Sequence, residues 1–133
     1  MVDALRMARE WIVPSGTVID LHPTAAPATV HVGHRLAGPI DPGGATARHQ
    51  GATEAIIAAV RERLFTVEDI FEFEFSTHAD SLEELDEYMI ENFRESRIGQ
   101  VTLARARELA GGLGTFTVSL RERVAAARLR ASR

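Results

Sequence analysis

ALRMAREWIVPSGTVIDLHP, residues Ala4 to Pro23, packs a helix, a turn and a strand into one short stretch. Leu5, Ala8, Trp11 and Ile12 fall at helical spacing and make one apolar stripe. Trp11 is expected in the core. Pro14 and Gly16 stop the helix and turn the chain. Thr17-Val18-Ile19 and Leu21 then predict a strand that is apolar on both faces.

Composition bounds what surrounds this cassette. A chain of 133 residues suffices for one domain, residues 1–133, with its own core. The net charge is -4 and no basic tract stands out, which argues against nucleic acid as a partner. All 15 basic residues are arginine, a pattern of GC-rich coding rather than of phosphate binding. The absence of cysteine excludes disulfides, a thiolate nucleophile and zinc-thiolate sites. No apolar run approaches the ~18 residues of a membrane span. The first residues lack a signal-peptide pattern, so a cytoplasmic, bacterial-type protein is expected.

Outward from Pro23 the chain reads as alternating elements. Gly33-His34 predicts the turn of a β-hairpin with arms Thr29–Val32 and Arg35–Gly38. PIDPGG, Pro39 to Gly44, is a loop. Ala52, Ala55, Ile56, Ala59, Val60 and Arg63 predict a helix over 46–64. Residues 66–77 read as a strand, with Phe71, Phe73 and Phe75 on a core face and Glu72 and Glu74 opposite. Ser81-Leu82-Glu83-Glu84 is a capping box that opens a helix with the stripe Leu82, Leu85, Tyr88, Met89 and Phe93. Thr102 is expected to cap another helix through Leu109, stopped at Gly111-Gly112. Thr115 to about Leu129 reads as a long strand, bulged near Glu122. A helix from Ser119 competes, because RERVAAARLR has high helix propensity.

This order resembles the second half of class I S-adenosylmethionine-dependent methyltransferases. Their block of leucine-rich helix, Arg-x-x-Pro-Gly-Gly and strand is matched by Ala4–Ile12, Pro14-Ser15-Gly16 and Thr17–His22. A branch of uncharacterised bacterial methyltransferase-like proteins is most similar. It follows a Phe-rich strand with features like Asp80-Ser81-Leu82-Glu83-Glu84, Asn92-Phe93-Arg94 and the Ala-Arg-Ala-Arg-Glu-Leu of Ala104 to Leu109. The resemblance implies half of a Rossmann-like fold. The last strand, 115–129, would run antiparallel between strands 17–22 and 66–77. The hairpin and the helices at 81–109 would be insertions. The family's cofactor site needs a strand–Gly-x-Gly–helix turn and a following acidic residue. Neither is found, so no cofactor and no binding of S-adenosylmethionine by this chain alone are expected. Gly111-Gly112-Leu113-Gly114 precedes a strand rather than following one and reads as a helix end and loop.

The chemistry-bearing residues are sparse. His22, His31, His34, His49 and His78 raise a metal site, but they are scattered and read as surface or half-buried histidines, so no metal is expected. Asp20 and His22 share one face at the carboxyl end of an apolar strand, where polar residues line the crevices of open α/β sheets. They are the candidate substrate-binding residues. Glu72 and Glu74 are expected to face Arg121 and Arg123 of the last strand as structural pairs. No residue carries an assignable catalytic role.

The expected fold is α/β or α+β, with a mixed or mostly antiparallel sheet of about three main strands, a hairpin and four helices. The expected function is a methyltransferase-like half-domain, not catalytic alone, that acts as an interaction or assembly module. The competing reading is a small oligomeric ligand-binding protein or enzyme using a crevice near Asp20 and His22. With its fourth-strand neighbour missing, strand 17–22 would keep an open edge, which templates association. The expected partner is a second copy, through strand 17–22 and helix 4–12, or a separate chain supplying the N-terminal half. The hairpin at 29–38 could instead cover that edge.

Overall fold

The structure is a computed structural model that describes residues 2–112 and 114–133. Its axis is the last strand, here β5 (Val118–Ala131). The long strand β4 (Phe65–Ala79) runs antiparallel along one edge of β5, from Phe65 opposite Ala131 to Ala79 opposite Val118. The other edge is shared. Strand β1 (Thr17–Pro23) pairs with residues 124–130, and β2 (Thr29–Val32) pairs with residues 118–121. Strand β3 (Arg35–Pro39) adds to β2 through a turn at Gly33, whose φ of 58° suits glycine.

All these pairings are antiparallel. Strands β1 and β4 therefore run parallel to each other with β5 inserted between them. The hairpin is not a separate unit. It takes up the edge of β5 where β1 ends, and the three main strands and hairpin form one five-stranded sheet. It does not cover the outer edge of β1, which stays unpaired among the described residues.

Residues 118–131 are a strand despite their helix propensity because β5 pairs with β4 along its whole length and with β1 and β2 along most of its other edge. The small side chains Ala126, Ala127 and Ala131 are buried there. The bulge lies in β4, between Val67 and Asp69, and not near Glu122.

Side-chain parity along β5 separates two cores. Leu129, Ala127 and Ala131 point to one face. There, helices α1 (Val2–Trp11) and α2 (Ala45–Arg61) cover them with Leu5, Ala55, Ile56 and Ala59, together with Phe65. Val118 and Leu120 have the opposite parity. They pack with Val30 and Val32 under helices α3 (Leu82–Asn92) and α4 (Gln100–Ala110), which supply Leu85, Met89 and Ala106. The two helical layers thus lie on opposite faces at opposite ends of the sheet.

Several expectations change for this reason. Phe71, Phe73 and Phe75 do share a face, but it is open: they are 51%, 38% and 52% exposed. Their partners on β5 are Ala126, Val124 and Glu122, beyond the reach of α3 and α4 and on the face away from α1 and α2. Trp11 ends α1 and is 78% exposed, while Leu5 alone of the α1 stripe is buried. Ile19 and Leu21 are exposed too, so β1 is not covered on both faces. Arg63 follows α2 in a left-handed turn with φ 58° and is exposed.

The Ser81 cap holds: its hydroxyl accepts from Glu84 N at 3.1 Å, and the Glu84 carboxylate accepts from Asp80 N at 2.8 Å. Thr102 is not a cap. Helix α4 starts one turn earlier from Gly99, and the buried Thr102 hydroxyl donates to Pro39 O at 2.7 Å. That bond pins α4 to β3, and a Cβ at Gly38 would lie 2.6 Å from the same hydroxyl. Of the glycine-rich turn after α4, Leu113 lies outside the described residues.

Candidate functional site

Alternation along β1 sends Ile19 and Leu21 to the open face and Asp20 and His22 to the face beneath α2. There the structure brings the two candidate residues together. His22 Nδ1 lies 2.6 Å from Asp20 Oδ2, and His22 Nε2 lies 3.1 Å from Thr53 Oγ1 of α2. His22 is buried. The carboxylate accepts, so Nδ1 carries the proton, and in the neutral ring Nε2 accepts the Thr53 hydroxyl. One turn earlier on α2, His49 Nδ1 donates to Thr24 O at 3.1 Å. Burial is the main cause that holds the His49 imidazole below its ordinary pKa, with Arg48 and His22 adding repulsion against the bond to Thr24.

These residues border a groove of about 610 Å³ between α2 and the sheet. Ile56, Ile57 and Val60 form its helical wall, Val67 and Ile70 come from β4, and Ala125 and Ala127 make the floor. His22, Thr53 and Thr24, with the charged Arg61 and Glu72, are the polar groups of this otherwise apolar lining. Thr24 Oγ1 is buried and has no hydrogen-bond partner among the described residues.

Thr53 was not legible as a site residue. It sits one position from the buried Ala52 in an alanine-rich helix, and nothing in its spacing marks it. Hydroxyl, imidazole and carboxylate stand in the order of an activated nucleophile. Their surroundings are the mostly apolar side chains of the groove.

The remaining polar residues fall elsewhere. His31 and His78 flank Ser119 from the two edges of β5. His31 Nε2 bonds Thr29 Oγ1 at 3.0 Å, and burial, then Arg121, push its pKa down while Glu74 opposes them. His34 is exposed in the hairpin turn. Among the described residues, no three His, Asp or Glu side chains form a metal-binding group. Glu72 pairs with Arg123 at 3.2 Å and Glu74 lies 3.9 Å from Arg121, as structural pairs across β4 and β5.

A methyl-donor cofactor does not fit the residues present. The one turn from strand to helix with two glycines, Gly43-Gly44 before α2, has its N–H groups taken. Gly43 N donates to Asp41 Oδ1 at 3.0 Å and Gly44 N to Glu95 Oε2 at 2.8 Å. Carboxylates already hold the anion-binding end of that helix. None of the described helices is long and apolar enough to cross a membrane.

The second candidate is the open sheet face. Ile19 and Leu21 of β1 stand opposite Arg128 and Ala126 of β5, and Phe71, Phe73 and Phe75 of β4 complete the surface. Comparison of the chain with protein-family models, with curated proteins and with solved structures finds no match.

Proposed function

We propose that this chain is an assembly module, a methyltransferase-like half-domain whose open sheet face seats a second copy of itself. The observation that carries the reading is the exposed row Phe71, Phe73 and Phe75 beside Ile19 and Leu21. Each large aromatic side chain presents ~150–250 Å² of surface, so Phe71, Phe73 and Phe75 at about half exposure, together with the aliphatic Ile19 and Leu21, offer on the order of 500 Å² of apolar area. That is the upper range for a monomer's largest patch. Two copies face to face would bury about 1,000 Å² of apolar surface before any polar rim is counted, enough for the centre of a standard interface.

Two features support the methyltransferase-like part of the reading. Strand β5 lies antiparallel between two parallel strands, the order that the resemblance implies. Ser15 stands where the related block has a glycine, and it adopts φ 64°, a conformation that favours glycine. The occupied Gly43-Gly44 turn supports the part of the reading in which the chain does not bind a methyl donor.

Sedimentation velocity across a range of concentrations tests the proposal. The wild-type chain is expected to run as a dimer, and Leu21→Arg or Phe73→Ser as a folded monomer. A wild-type monomer at high micromolar concentration overturns the self-association. Titration calorimetry with S-adenosylmethionine is expected to show no binding, and micromolar affinity would overturn that part of the reading.

A further inference from the structure

The chain of hydrogen bonds from Thr53 through His22 to Asp20 has a direction. His22 Nδ1 donates to Asp20 Oδ2 at 2.6 Å, so Nε2 of the neutral ring is an acceptor, and the Thr53 hydroxyl 3.1 Å away directs its proton there. A threonine within a helix commonly bonds the carbonyl one turn back instead. Exposure has the same order. Thr53 is exposed and lines the groove, while the side chains of His22 and Asp20 behind it are only 10% and 15% exposed. A hydroxyl therefore stands in front, a base behind it, and behind the base a carboxylate that fixes its tautomer.

We infer that this is an acyl-transfer site, in which Thr53 attacks small apolar esters with acidic leaving groups, aryl esters above all. Thr53 Oγ1 bonds the acyl carbon as its proton passes to His22 Nε2. The bond from that carbon to the aryl oxygen breaks, and the departing oxygen keeps the electron pair and takes the proton from His22. Water then attacks the Thr53 ester, gives its proton to His22, and releases the acid as Thr53 recovers its own. The groove sets the substrate class. Ile57 follows Thr53 by one turn of α2 and Arg61 by two, about 12 Å along the helix, so an aryl group lies against Ile57 and Ile70 toward a cation. Glu72 of the lining is held by Arg123 at 3.2 Å. The N–H groups around Thr53 are used inside α2, so no backbone donors hold a developing oxyanion, which restricts the reaction to esters activated by their leaving group. The site lies on the face opposite the open Phe surface, so it does not depend on the proposed dimer and stays accessible in it.

The probe is p-nitrophenyl acetate with the full chain. Acid-quenched samples are expected to carry one acetyl group on Thr53, located by peptide mass spectrometry. Thr53→Val should remove this label and Thr53→Ser should keep it. His22→Gln should slow acetylation of Thr53 about 100-fold, the scale of a lost general base. Acid should slow the wild type, since a protonated Nε2 cannot take the hydroxyl proton. Asp20 is a positioning residue: Asp20→Asn should slow the reaction while nitrogen NMR shows the His22 proton moved from Nδ1 to Nε2. Thermal melts show which variants fold, and His22→Gln carries the test if Thr53→Val does not. Acetyl groups on other residues only, equal rates at Thr53 with and without His22, or no release of p-nitrophenolate that depends on Thr53 would each overturn the site. The hydrogen bonds would then serve only to tie α2 to β1.

Discussion

At the Val118 end of β5, helices α3 and α4 cover one face, and the uncovered reverse carries His31, Ser119, His78 and Arg121. At the Ala131 end, α1 and α2 cover the other face, and the uncovered reverse carries Ile19, Leu21, Phe71 and Phe73. Each end is a sheet with one helical layer. The first is finished for water, since its bare face is polar. The second is finished only in part, since Ile19, Leu21, Phe71 and Phe73 share its bare face with Arg128, Arg130 and Glu68. The difference teaches that coverage, rather than strand pairing, distinguishes the ends, and it points to association at one of them.

The largest effects should come from the covered faces of both ends. Phe65 and Leu85 are fully buried. Phe65→Ala should cost ~3–5 kcal/mol and Leu85→Ala ~2–5 kcal/mol in urea melts, by lost transfer energy and the cavity left behind. If the shared strand β5 couples the ends, each variant should melt in one transition. A biphasic melt, with one end lost first, would break the comparison into two independent units.

Next comes the bare face. Phe73→Ala should cost only about 1 kcal/mol in the monomer, because much of its ring stays in water. The wild-type melting temperature should rise with protein concentration, as for any folded state stabilised by association. That dependence should vanish in Phe73→Ala. A loss equal to that of Phe65→Ala, independent of concentration, would place Phe73 in a core and erase the contrast between faces.

The order of elements was legible because period and punctuation are local. The hairpin turn at Gly33, the Ser81 cap and the alternation of Phe71, Phe73 and Phe75 were all read from neighbouring residues. The Asp20 and His22 pairing was legible through period two, since one residue between them keeps both on one face. Which face receives a helix was not legible. That depends on where β1 ends and β2 takes over the edge of β5, a long-range arrangement set by the loop at 24–28. The Phe row therefore looked like core when it faces outward. Thr53 was hidden for the same reason: only the approach of α2 to β1 brings its hydroxyl to His22.

A smaller effect lies in the turn before β1. Ser15 holds φ 64°, which costs a residue with a Cβ about 1 kcal/mol or more. Ser15→Gly should recover part of this and raise stability by roughly 0.5–1 kcal/mol, after the added freedom of glycine when unfolded. The adjacent Gly16 should respond oppositely. A Cβ there would sit 2.9 Å from Val13 O and clash with the Ile12 side chain, so Gly16→Ala should destabilise. Equal responses at the two positions would mean that this turn does not fix how α1 enters the sheet.

The smallest effect probes an acidic side chain of the bare face that has no ion-pair partner among the described residues, unlike Glu68, which Arg128 and Arg130 hold. Glu122 stands opposite Phe75 and is half-buried, and burial raises its carboxyl pKa above the ordinary 4.5. The folded state therefore favours the protonated acid. Below 4.5 the group is protonated in both states and costs nothing through ionisation. As pH rises through 4.5 towards the raised folded value, the unfolded chain ionises first and the wild type loses stability relative to a neutral side chain. Glu122→Gln should match the wild type in acid and become the more stable of the two at neutral pH, by a modest margin because the group is partly solvated. Association that buries the face further should widen the margin, so it should grow with protein concentration in wild-type background and stay fixed in Leu21→Arg. Chemical melts of the four variants across pH check this. A margin independent of pH would remove burial as the cause. One that shrinks with concentration would mean that Glu122 meets a cation from the second copy.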